Sequence, residues 1–196
     1  MTPADISLSM DTPLFLSGQL LLSMPGIGDP RFERAVIPMC LHDEEGALGI
    51  VANMPMSDMT VRDLMEQLDI DPGATPMDAP VLIGGPVEPS RGFVLHSPDY
   101  SGQGTISVGN SWGLTSTLDV LKDIAGGKGP AKWLAALGYT GWGAGQLEGE
   151  MTRHGWQTAP GDAALLFDTA LDRRWPAAFG TLGIDVSHLS AVAGRA

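Results

Sequence analysis

The chain has 196 residues and carries 11 Lys and Arg against 23 Asp and Glu, a formal net charge of -12. Hydrophobic residues make up 43% and charged residues 17%, too apolar for an intrinsically disordered chain and enough to fill one core. The acidic field repels phosphate backbones and disfavours nonspecific nucleic-acid binding, and no run approaches the ~18 apolar residues that a membrane-spanning helix requires.

Residues 1–13 read as a flexible leader. They hold Asp5 and Asp11, and no Lys or Arg precedes Arg31, so the charged start of a secretory signal is missing. The lone Cys40 has no partner for an internal disulfide. It stands in the apolar run Val36 to Leu41 and reads as a buried structural thiol, which fits a reducing cytoplasm.

Leu14 to Met24 reads as a strand ended by Pro25 and Gly26. Ala35 to Leu41 and Ala47 to Asn53 read as the arms of a hairpin, turning at His42 to Gly46, with Pro55 stopping the second arm. Thr60 and Asp63 have the spacing of a capping box that opens a helix running to Leu68. Val81 to Ile83 is a short buried strand broken by Gly84, Gly85 and Pro86, and Gly92 to His96 and Thr105 to Val108 follow as strands. Ser116 with Asp119 opens a helix through Ala125, and Pro130 sits at the first position of another, Ala131 to Leu137. Helices at Gln146 to His154 and Asp172 to Leu182, with a strand at Trp156 to Thr158 between them, complete the pattern. Strands and helices do not alternate strictly, so an α+β fold is expected rather than a doubly wound sheet. Residues 14–196 read as one domain. If it has two lobes, they meet near the Gly126 to Gly129 loop, whose simpler reading is an ordinary turn.

Several blocks stand in a recognisable order: Leu16 to Leu22 with Pro25 and Phe32; His42 with Gly46 to Pro55; Gly84-Gly85-Pro86-Val87; Gly138 to Glu150 with Trp156; then Phe167, Trp175 and Leu182 to Asp185. In these the chain resembles the YqgE/AlgH family over residues 14–196, most specifically in the Gly-Tyr-x-Gly-Trp-x-x-Gly-Gln-Leu-Glu block. The resemblance implies a bacterial cytosolic protein whose bifurcated, mainly antiparallel sheet forms a pseudo-barrel flanked by helices. It implies no established reaction, cofactor or catalytic residue, although the family is often labelled a transcriptional regulator. Met54 stands where the family commonly has a basic residue, His154 where it has Asn, and Arg195 where it has His.

The tentative ligand- or partner-binding segment runs from Tyr139 to Glu150 and comprises Tyr139, Gly141, Trp142, Gly145, Gln146, Glu148 and Glu150. Gly84, Gly85 and Pro86 form a second lip. The glycines permit close backbone approach, and a helix starting near Gln146 offers free amides for an anion or carbonyl. The structural alternative is that Glu148 caps that helix, Glu150 and His154 lie one turn apart on it, and Gly-Gly-Pro is a turn signal.

Gly109-Asn110-Ser111-Trp112-Gly113 has the Gly-x-Ser-x-Gly pattern of a nucleophile elbow. Asp162, Asp168, Asp172 or Asp185 with His188 would supply the rest of a triad in the right order, but three residues separate the serine's neighbour from the next helix cap. His42, His96, His154 and His188 have no metal-ligand spacing, and the Gly126 to Gly129 loop lacks the end of a phosphate-binding loop, so neither metal nor cofactor is assigned. The reading these residues favour is a noncatalytic binding or regulatory protein with an unidentified protein or small ligand as partner. Its rivals are a direct transcriptional regulator, carried by the family label alone, and a serine hydrolase using Ser111.

Overall fold

The structure is a computed structural model and describes residues 15–189, so the leader and Arg195 lie outside the described residues. Ten strands and five α-helices, among the described residues, form the α+β fold. No helix among them is long and apolar enough to cross a membrane.

The first strand, β1 (Leu20–Ser23), is shorter than expected, because Gly18 takes a left-handed φ of 82° and Gln19 N–H closes a turn on the Leu16 carbonyl. The hairpin β2 (Val36–Asp43) and β3 (Gly46–Gly49) has a turn tighter than the sequence indicates, since the Asp43 carboxylate accepts the Glu45 and Gly46 amides. Pro55 opens a strand instead of merely ending one: β4 (Pro55–Thr60) leads into α1 (Val61–Gln67), whose Thr60 and Asp63 form the expected reciprocal cap.

β5 (Pro80–Ile83), β6 (Val87–His96), β7 (Thr105–Val108) and β8 (Trp112–Thr115) follow, then α2 (Leu118–Ala125), which starts from Thr117 rather than Ser116. The Gly126 to Gly129 segment closes the end of α2, with Lys128 N–H on the Asp123 carbonyl. The largest departure comes next. Ala131 to Leu137 is not a helix but the start of β9 (Trp133–Gly143), the longest strand. Its Trp-Leu-Ala-Ala-Leu run does not alternate because β9 has neighbours on both edges and packing on both faces, and such a run cannot be told from a helix by period. The chain ends with α3 (Gln146–Thr152), β10 (Trp156–Ala159), α4 (Ala163–Asp168) and α5 (Arg174–Gly180).

The sheet runs β10-β1-β2-β3-β9-β6-β8-β7 and forks at β9. Thr140 to Gly143 of β9 pairs with β3, whereas its Ala135 to Leu137 stretch lies between β6 on one side and β5, its one parallel partner, on the other. The path curls until β7 comes beside β2, so the bifurcated sheet closes into a pseudo-barrel. The fork is drawn tight by glycine. A Cβ on Gly85 would strike the Tyr139 carbonyl, one on Gly138 would strike the Gly85 oxygen, and Gly138 has a left-handed φ of 75°.

Inside the barrel pack Leu20, Leu22, Cys40, Phe93, Leu95 and Trp112, capped by Trp175 and Phe179 of α5. Burial pushes the Cys40 thiol up to about 12, so it is the expected inert thiol. Trp112 Nε1 is buried and has no hydrogen-bond partner among the described residues. Arg174, which the sequence does not mark as interior, is buried and held by the Ala52 and Thr169 carbonyls, and desolvation lowers its guanidinium to about 10. It ties α5 to the chain after β3 and stays charged at neutral pH.

Candidate functional site

The side chains of β9 alternate across the sheet, so the segment from Tyr139 to Glu150 does not present one surface. Thr140 and Trp142 face a groove of ≈ 730 Å³ whose other wall is the loop from Met24 to Phe32. Tyr139 turns the other way, packs edge-on to Phe93 at 5.7 Å, and borders a shallow concavity beside Asp43 and Glu45.

The groove is built around the Glu150 carboxylate. Its Oε2 accepts both the Trp142 indole N–H at 3.0 Å and the Trp156 indole N–H at 2.9 Å, and its Oε1 accepts the Gln146 amide at 3.1 Å. Gln146 in turn accepts the Gly143 N–H at 3.0 Å, which locks the strand end to the helix. One carboxylate therefore fixes two buried indoles. They meet edge to face at 6.0 Å, and Phe32 continues the cluster at 5.6 Å from Trp156. The expected Glu150 to His154 pairing along a helix is absent, because α3 ends at Thr152 and His154 has a left-handed φ of 58°. That backbone explains the exchange with Asn, since both residue types tolerate the left-handed region.

Arg153 and His154 line the groove with Arg31, whose guanidinium is paired with Asp29 at 2.6 Å. Arg153 makes no ion pair among the described residues. The groove thus sets a free cation beside an aromatic floor in a protein of net charge -12.

Glu148 does not enter the groove. Its Oε1 accepts a hydrogen bond from His42 Nε2 at 2.8 Å, and His42 Nδ1 accepts the Leu16 amide, so Nε2 is the donor nitrogen of the ring. The Glu148 backbone N–H, together with this imidazole, holds its carboxyl below the usual carboxylate range. Glu148 stands in the first turn of α3, where a carboxylate favours the helix end, but no side chain among the described residues caps that end, and Gly145 provides the left-handed entry at φ 70°.

Of the residues singled out by sequence, Pro86, Gly141, Trp142, Gln146 and Glu150 line the one groove. Gly84 and Gly85 serve the backbone crossing at the fork, where the Gly84 carbonyl accepts the Val51 N–H. Sequence reasoning about the site missed Trp156, Phe32, Arg153 and His42. Trp156, Phe32 and His42 stand in the family-like blocks, but only the fold shows what they touch.

Ser111 sits in the turn between β7 and β8, its amide on the Val108 carbonyl. A strand-turn-strand hairpin is not the strand-turn-helix of a nucleophile elbow, so that motif match is coincidental. His96, next to Ser97 and Asp99, bonds instead to the Thr115 hydroxyl at 2.8 Å, and burial lowers its readiness to protonate. No group of three metal-ligating side chains occurs among the described residues.

A family model described as AlgH-like (DUF179) matches residues 20–187. A UPF0301 protein of Rhizorhabdus wittichii is 58% identical over 187 residues, covering 95% of this chain and 100% of its own length. Another from Sphingopyxis alaskensis is 55% identical over 188 residues, covering 95% and 100%. Among solved structures, the AlgH protein from Pseudomonas aeruginosa is 41% identical with a TM-score of 0.77, over 96% of this chain and 100% of that one. The chain belongs to the AlgH-like family.

Proposed function

We propose that this is a noncatalytic binding or regulatory protein that works in a reducing cytoplasm through the groove between the Met24 to Phe32 loop and the Trp142 to Glu150 segment. The observation that carries the reading is the use made of Glu150. Its carboxylate, the one acid in the middle of the groove wall, is spent on two indoles and an amide, so it holds a recognition surface in shape instead of exchanging protons. Rigid aromatic side chains with a neighbouring arginine are the residues that anchor partners at low entropic cost. Arg153 and His154 at the rim favour an occupant with an acidic group next to an apolar one, a protein segment or a small ligand.

Regulation would then act through a partner, since an overall charge of -12 repels DNA. The test is native mass spectrometry of the tagged full-length chain captured gently from a bacterial cytoplasm. A stoichiometric protein or small-mass species retained by the native chain and lost from Arg153→Glu is expected. Equal retention by the variant, or no retained species at all, would overturn the groove as the binding site.

A further inference from the structure

On the opposite arm of the fork, a second site is made by a side chain that is missing. The sheet face under α1 and α2 is covered by Val94 and Ala135, which pack with Met65 and Leu121 into a closed apolar layer. Two residues along β6 from Val94, on the same face, stands Gly92, cross-strand from Leu137. An ideal Cβ at Gly92 would meet nothing nearer than the Leu137 methyl at 3.9 Å, and its φ is not in the left-handed region. Neither backbone nor crowding therefore calls for glycine here, in the interior of a strand where glycine is normally disfavoured unless something approaches closely.

The space is a pocket of ≈ 170 Å³. Its floor is Gly92, Val94 and Ala135, and its walls are Leu64 of α1, Leu68 just past the end of that helix, and Leu118 and Leu121 of α2. Leu68 and Leu118 stand 39% and 49% exposed at the mouth, so the apolar lining opens to the outside. Gly92 itself is exposed, so the pocket is an open one, and its volume is that of a cavity which admits one benzene-sized ring.

The charge around it narrows the occupant. α1 and α2 carry Asp63, Glu66, Asp119 and Asp123 against Arg62 and Lys122, and the Arg62 guanidinium is already spent on the Gly73 and Thr75 carbonyls. An anionic head is repelled. We infer that the pocket between α1 and α2 over Gly92 binds one small neutral ring or short branched alkyl group, with the Ser90 and Ser116 hydroxyls at the rim able to meet a single polar atom of it. This site is independent of the groove at Trp142.

The experiment titrates benzyl alcohol into the full-length protein and follows the leucine and valine methyl resonances. Saturable shifts confined to Leu64, Leu68, Val94, Leu118 and Leu121 are expected. Gly92→Val, which fills the space in a strand that suits a β-branched side chain, should weaken binding at least ~10-fold while the melting temperature holds or rises. Gly92→Ala should lie between the two. Shifts that never saturate, or that persist unchanged in a folded Gly92→Val protein, would overturn the assignment. The same methyls moving with protein concentration alone would give the pocket to a second copy of the chain and overturn it equally.

Discussion

The two ends of strand β9 solve opposite problems. At Trp142 the strand meets a wall in which two indoles and an amide converge on the Glu150 carboxylate, so the surface is fixed by hydrogen bonds. At Ala135 to Leu137 the strand lies under an apolar layer that stops one side chain short, so the surface is shaped by absence. The first arrangement suits an occupant with charge and aromatic faces, the second a small neutral one. Between them lies the glycine crossing of Gly84, Gly85, Gly138 and Tyr139, which lets one strand serve both arms of the fork.

Breaking that crossing should have the largest effect. Gly85→Ala drives a methyl into the Tyr139 carbonyl, backbone against backbone with no flexible side chain to yield, and a loss of about 3 kcal/mol or more is expected in urea unfolding. Both ends of β9 should suffer together, which indole and methyl resonances recorded on one sample would reveal. Glu150→Ala should cost somewhat less, about 2 to 3 kcal/mol, because two buried indole donors and the Gln146 amide lose a charged acceptor. Here the damage should stay local: Trp142 and Trp156 indole signals move and broaden, whereas benzyl alcohol still titrates the Leu64 and Leu118 methyls. An equal loss of that binding in Glu150→Ala would show that the two ends are one unit after all.

The smallest effect concerns Glu148. Its carboxyl is held below the ordinary range by its own backbone amide and by His42, so its contribution is full above the unfolded carboxylate value of about 4.3 and is lost as pH falls through the lower folded value. The side chain is 47% exposed, and screening keeps the contribution under ~1 kcal/mol. The stability gap between the native chain and Glu148→Gln should thus be small at neutral pH, begin to shrink as pH falls through the unfolded carboxylate value of about 4.3, and vanish only below the lower folded value in thermal melts. A gap that persists at low pH would mean that Glu148 acts by packing instead of charge.

Local chemistry was readable in the sequence wherever it is decided locally. Thr60 with Asp63 caps α1, and Thr105 to Val108 is a strand as expected, because each depends on residues a few positions away. Ala131 to Leu137 reads as a helix in the sequence, since two adjacent alanines in an apolar run carry a helical preference that only the flanking β5 and β6 override. The site was legible as a set of blocks but not as a geometry. Trp142 and Glu150 stood in one segment, yet the pleat sends Tyr139 away, and the His42 to Glu148 bond joins residues too far apart in sequence for spacing to connect them. Gly92 gave no signal at all, because a glycine in a strand shows its meaning only once the space above it is known.

The most direct test of the central claim adds the purified species retained by the native chain back to indole-labelled protein and records the tryptophan side-chain N–H signals. Trp142 and Trp156 should shift and saturate together while Trp112, buried in the barrel, stays still. Movement of Trp112 without Trp142 and Trp156, or no movement of these two, would contradict a binding surface built on Glu150.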